Sequence, residues 1–168
     1  MHPIRAVYLV LFLLAATLCP ARDLAIIVNK SNTTTNVSAA ELEKLLKAAV
    51  PNWPDGKRVK VFLTDPGFSK SGSSKSGVGN SASQQGPADL RMILQRAYKM
   101  KPEEIKSLAD AHKADIQVVS SDEIVLTMVD NNPGAIGIVN VYSINSRVKV
   151  LKVDEKLPME QGYLLHGN

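Results

Sequence analysis

The sequence predicts an α/β layered domain whose mainly parallel sheet carries helices on its faces. Three observations lead there. Short apolar, β-branched runs alternate with segments of helical periodicity, in the order strand, helix, strand, two helices, strand, helix, two strands. Two of the helical segments open on capping-box residues and a third on a proline followed by acids. The chain has 168 residues, 45% hydrophobic and 21% charged, which is enough for one sizeable core and too little for a second full domain.

The first 21 residues stand apart from that pattern. Arg5 precedes an uncharged, mostly apolar run over residues 6–18, shorter than the ~20 residues a bilayer span needs. Cys19 and Ala21 are small residues at the −3 and −1 positions of a cut before Arg22, so residues 1–21 read as a removable export signal. The alternative is a lipoprotein anchored through Cys19, but Leu18 and Ala16 stand where such a signal favours a small residue and a leucine. Cleavage after Ala21 removes the single cysteine, and with it any disulfide, thiol nucleophile or thiolate metal site. The formal charge is +4, of which Arg5 contributes one. This is too mild for a nucleic-acid binder and compatible with attracting a small anion.

Residues 22–168 form the predicted domain. Leu24-Ala-Ile-Ile-Val28 is a buried strand, followed by an Asn/Thr-rich stretch over 29–36. Ser38 and Glu41 make a capping box ahead of Leu42, Leu45, Leu46 and Ala49 at helical spacing. Pro51 and Trp53-Pro-Asp-Gly56 break that helix, and residues 58–64 alternate as a second strand, giving the pattern of a parallel strand–helix–strand crossover. Residues 66–87 turn Ser/Gly-rich, and a loop of that length is either functional or simply mobile. Leu90, Ile93, Leu94, Ala97 and Tyr98 form a helical stripe after Pro87, and a further helix opens at Pro102-Glu-Glu104. Ile116–Val119 is a third strand, and Ser120 with Glu123 is a second capping box for a helix ending at Asn131-Asn-Pro-Gly134. Residues 135–139 and 148–153 are the last two strands.

The chemistry is notable for what is missing. His112 and His166 have no partner at metal-ligand spacing and read as solvent-facing, so no metal is expected. No Gly-x-Ser-x-Gly elbow, phosphate loop or dinucleotide fingerprint occurs, so neither an enzyme nor a cofactor is expected. Loops at the carboxyl ends of strands remain, where open α/β sheets bind ligands and helix N-termini favour anions. Ser31, Asn32 and Thr33 follow the first strand; they are oxyanion donors or an ordinary approach to the helix. Ser71, Gly72, Ser73 and Ser74, flanked by Lys70 and Lys75, follow the second; they are an anion cradle or a polar linker. Arg91 lies close enough to that loop to join an anion site, and Trp53 is a packing residue or a stacking surface.

These pieces together resemble the phosphate-type periplasmic solute-binding proteins of ABC transporters, in a short single-unit form. The resemblance rests on the export signal, Leu24-Ala-Ile-Ile-Val-Asn29, the capped helix from Ser38, Trp53-Pro-Asp-Gly56, Ser120-Ser-Asp-Glu-Ile124, Asn132-Pro-Gly-Ala-Ile-Gly-Ile138 and Val148-Lys-Val-Leu151. It implies a type II periplasmic-binding-protein-like fold, here with a reduced second lobe. It implies a small oxyanion held by backbone N–H groups and hydroxyls, phosphate before others, and an ABC permease or membrane sensor as partner. The family's Ser-Gly-Thr-Arg anion motif occurs only as the looser Ser71-Gly-Ser-Ser-Lys75, with lysine for arginine. The other class of function these residues allow is a structural or regulatory envelope protein that kept the fold and lost the ligand.

Overall fold

The computed structural model describes residues 23–67 and 85–167. The export segment, including Cys19, lies outside the described residues, as do Ser71, Gly72, Ser73 and Ser74. The elements are β1 (Leu24–Asn29), β2 (Asn36–Val37), α1 (Ala39–Leu46), β3 (Lys60–Thr64), α2 (Gln85–Tyr98), α3 (Pro102–Ala111), β4 (Ile116–Val119), α4 (Asp122–Asn131), β5 (Ala135–Asn140), a 3₁₀ turn (Val141–Ser143), β6 (Val148–Val150) and β7 (Lys152–Val153). No described helix is long and apolar enough to cross a membrane.

Five strands form one sheet in the order β4-β3-β5-β1-β6. β3 pairs parallel with both β4 and β5, whereas β1 pairs antiparallel with β5 and with β6. Four strands therefore run one way and β1 alone runs the other. The opening strand, helix and strand are accordingly not the parallel crossover that their alternation predicts: β5 is inserted between β1 and β3, and β1 runs opposite to both. Hydrophobic periodicity reports which face a strand buries, and it is blind to the strand's direction.

Alternate residues of each central strand feed two cores. Ile26, Val28, Val61, Leu63, Ile136 and Ile138 face α1, α2 and α3, while Ala25, Ile27, Phe62, Ala135 and Val139 face α4. β1 and β5 are buried on both sides, so they read as continuous apolar runs. Helix α1 forms because Ser38 accepts from the Glu41 N–H at 3.2 Å while Glu41 accepts from the Ser38 N–H at 2.8 Å. It buries Leu42, Leu45 and Leu46, each worth about 1.5–3 kcal/mol.

Two glycines in the Pro133-Gly-Ala-Ile-Gly137 segment have steric causes. A Cβ on Gly134 would lie 2.0 Å from the Arg58 carbonyl oxygen, and one on Gly137 would lie 2.7 Å from Val125 Cγ1 and 2.9 Å from Val129 Cγ2. The first lets the turn before β5 pass under the start of β3. The second lets α4 settle onto the sheet.

Three further expectations are corrected. The cap of α4 is Ser121, accepting from the Ile124 N–H at 3.5 Å, and Glu123 reaches Arg147 instead of closing a box with Ser120. The strand predicted over 148–153 divides at Leu151, whose N–H donates to the Ile26 carbonyl; β7 then leaves the main sheet to pair parallel with β2. His166 is not merely solvent-facing, since its Nδ1 lies 2.7 Å from the buried Asp23 carboxylate, and Tyr163 and Leu165 beside it are in the core.

Candidate functional site

Because β3, β4 and β5 run together, their carboxyl ends form one edge of the sheet. Three side-chain systems converge there. At the end of β3 the Asp65 N–H continues the ladder to the Val119 carbonyl at 2.8 Å, and the Asp65 carboxylate accepts from the Gly67 N–H at 2.8 Å. Gly67 has φ +86, and a Cβ there would meet Arg91 Nη2 at 2.9 Å, so only glycine suits the position. Arg91, half-buried on α2, donates from Nε to the Pro66 carbonyl at 2.9 Å and from Nη2 to the Gly67 carbonyl at 2.7 Å. Its guanidinium thus fixes the last described residues, Pro66 and Gly67, before the Ser/Gly-rich segment of the sequence.

The second system is built on Asp122, the first residue of α4. One carboxylate oxygen accepts from the Thr64 hydroxyl at 2.5 Å; the other accepts from the Asn140 N–H at 2.9 Å and the Ser143 hydroxyl at 2.8 Å. Donors from the ends of β3 and β5 and from the 3₁₀ turn therefore close on a carboxylate at a helix N-terminus, where negative charge is favoured. The edge can hold an anion, and at this point the anion is the chain's own.

The third is a cleft of about 360 Å³ between α3 and the end of β4, lined by Asp65, Lys106, Ala109, Asp110, Val118, Val119 and Ser120. Lys106 brings a cation and Ser120 a hydroxyl, beside the carboxylates of Asp65 and Asp110. Among the described residues no group of three His, Cys, Asp or Glu side chains is placed to hold a metal ion.

Ser31, Asn32 and Thr33 are elsewhere. Because β1 runs antiparallel to β5, its carboxyl end meets the amino ends of β3 and β5. The loop is built by its own side chains. Asn29 donates to the Val129 and Asp130 carbonyls at 2.9 and 2.6 Å, and its Oδ1 accepts from the Ser31 N–H and hydroxyl at 2.9 and 2.7 Å. Asn32 Oδ1 accepts from the Thr34 N–H at 2.9 Å, while its buried Nδ2 has no partner among the described residues. Lys57 donates to the Ser31 carbonyl at 3.0 Å, and Lys149 donates to that of Asn32. The Arg58 guanidinium grips Asp115 at 2.8 and 3.0 Å on the same edge and holds its carboxyl below the usual carboxylate range.

The five residues of β3 put roughly 15 Å between these two edges. A small ion cannot touch Ser31 and Arg91 together, so the two sets of expected donors are separate positions. Sequence reasoning missed Thr64, Asp122 and Ser143, whose only signal was their place at element ends.

Trp53, considered as a stacking surface, is buried, and its Nε1–H donates to the Gly134 carbonyl at 2.9 Å. It is a packing residue.

Among solved structures the chain is similar to an ABC-type phosphate transport receptor from Vibrio cholerae, with TM-score 0.60 and 19% identity over 88% of this chain and 54% of that one. It is similar to PstS from Borrelia burgdorferi, with TM-score 0.61 and 20% identity over 88% of this chain and 55% of that one. It is also similar to a putative phosphate ABC transporter substrate-binding protein with bound phosphate from Clostridium perfringens, with TM-score 0.55 and 16% identity over 80% and 46%. The chain spans about half the length of these proteins. No family model matches it, and no curated protein does. The likeness establishes the fold: a periplasmic-binding-protein-like mixed sheet with flanking helices.

Proposed function

We propose that this chain is an exported, non-catalytic module that binds phosphate or a related small oxyanion, as the substrate-binding component of an ABC-type uptake system or a sensor for one. The observation that carries this reading is the exit of β3. There Gly67, clamped by Arg91, delivers the chain at the carboxyl edge to the loop containing Ser71, Gly72, Ser73 and Ser74. Hydroxyls, and backbone N–H groups that glycine leaves accessible, are the donors an oxyanion needs. Lys106 stands on the same edge, in a cleft that Asp65 and Asp110 also line. The phosphate-binding proteins of like fold support the same ligand class. Ser31, Asn32 and Thr33 are the second donor position, on the opposite edge. Export follows from residues 1–21, with cleavage near Ala21 releasing the protein to the periplasm; the alternative is anchorage through Cys19.

Isothermal titration with phosphate, sulfate and molybdate tests the binding. A saturable heat with one of them supports it, and no heat with any at high protein concentration removes it.

One observation favours a second reading, a structural or regulatory envelope protein that kept the fold and lost the ligand. Asp122 already occupies the donors Thr64, Asn140 and Ser143, and Glu123 adds a second acid to the first turn of α4. Limited proteolysis separates the readings. Cleavage between Ser69 and Gln85 that phosphate suppresses supports the binding module, and cleavage indifferent to phosphate supports the structural protein.

A further inference from the structure

The amino edge of β3 carries a groove that neither candidate anion position uses. It has a volume of about 450 Å³ and lies between α1, the short β2 strand and the Trp53-Pro54 turn, a size that suits a small organic molecule. Its floor is apolar, formed by Leu45, Val50 and the Trp53 ring. The indole N–H is spent on Gly134, so Trp53 offers this groove hydrocarbon only.

The rim is different. Lys44 is exposed, forms no salt bridge among the described residues, and lies within electrostatic reach of the Glu41 carboxylate on the same rim. The Asn52 side-chain amide has no hydrogen-bond partner there, and Asn36 uses only its oxygen, accepting from the Glu155 N–H at 2.9 Å. Glu41 also lines the rim, but one of its oxygens is committed to the Ser38 N–H and hydroxyl at 2.8 Å each. An ammonium whose only charged neighbour on the rim is Glu41, and two amide groups with unspent N–H donors, therefore surround an apolar floor.

The geometry points to a second ligand site, for a small organic acid that carries one carboxylate on an aromatic or branched hydrocarbon body. The carboxylate meets Lys44 and the amides of Asn36 and Asn52, and the hydrocarbon covers Leu45, Val50 and Trp53. This site is separate from the Arg91 position, which lies at the opposite edge, and its apolar floor suits a hydrocarbon body that an inorganic ion lacks.

Trp53 is the only tryptophan in the sequence, so all tryptophan emission comes from a residue lining this groove. Titration of the exported chain with phenylacetate is expected to change that emission saturably. Phenylacetamide, which keeps the ring and loses the charge, is expected to bind about tenfold more weakly, and Lys44→Ala is expected to weaken phenylacetate by a similar factor, the loss of one charge-assisted contact. Lys113→Ala, remote on the turn after α3, should leave the titration unchanged. The inference is overturned if phenylacetate produces no saturable change, if Lys44→Ala binds it as the parent does, or if phosphate competes for the groove. Phosphate heat is read by calorimetry without Trp53, so failure here and failure of the oxyanion reading are distinguishable.

Discussion

The indole Nε1–H of Trp53 donates to the carbonyl oxygen of Gly134 at 2.9 Å, joining the turn before β3 to the turn before β5 across 81 residues. The same Gly134 carbonyl accepts from the Lys60 N–H at 3.2 Å, and the space its side chain would need is filled by the Arg58 carbonyl. Two of the sequence blocks most like the phosphate-type binders, Trp53-Pro-Asp-Gly56 and Asn132-Pro-Gly-Ala-Ile-Gly-Ile138, thus meet each other in the fold. Their resemblance is to a way of seating parallel strands, and it says little about a ligand.

Trp53→Phe keeps most of the apolar volume and deletes the donor, so it should cost about 1–3 kcal/mol of unfolding free energy. Gly134→Ala should cost more, because a backbone oxygen at 2.0 Å cannot rotate away. Urea denaturation of both variants checks the order; equal losses would mean that the turn relaxes around the added methyl.

Gly137→Ala drives a methyl into Val125, Val129 and Ile27 and should cost about 1–3 kcal/mol by overpacking. Val125→Ala in the same chain makes room for that methyl. The double variant should therefore lose less than the two single losses added together, a coupling that a double-mutant cycle reads directly.

Glu43 on α1 accepts from Lys47 at 2.8 Å and from Lys99 at 2.8 Å, and these two ammonium groups pull its pKa down to about 2. A carboxyl depressed in the folded state adds stability that is fully present above its unfolded pKa near 4.5 and is lost as pH falls through the folded value. Carbon-detected NMR titration should find Glu43 still ionised at pH 3, and Lys99→Ala should move its midpoint upward.

Tyr98 is fully buried, and its hydroxyl has no hydrogen-bond partner among the described residues. Burial alone raises its pKa far above the ordinary phenol value. Tyr98→Phe removes an unsatisfied polar atom and keeps the ring, so it should raise the urea midpoint, by about 1 kcal/mol in free energy, at an unchanged m-value.

What could be read from the sequence divides by range. The Ser38–Glu41 box and the proline start of α3 are local and are where the sequence places them, because each is settled within four residues. The direction of β1 is not local. Leu24–Asn29 has the same apolar pattern whether it runs with β5 or against it, and only the pairing of Ile26 with Ile138 and of Ile27 with Val150 decides. Tyr163 and Leu165 enter the core from a turn-rich tail with positive φ at Asp154, Glu155, Met159 and Gly162, so no periodicity announces them. At the site, Arg91 is legible from its nearness to the Ser/Gly-rich loop. Thr64, Asp122 and Ser143 are not, since they meet only once three strand ends share an edge.

The central claim is that an oxyanion is held at the carboxyl edge of β3. Amide chemical-shift mapping of the exported chain during a phosphate titration tests it most directly. Saturable shifts at Gly67 and at Ser120 and Ser121, with or without shifts at the second donor position Ser31 to Thr33, are the predicted result. Shifts confined to Ser31–Thr33, or none at either edge, would contradict it.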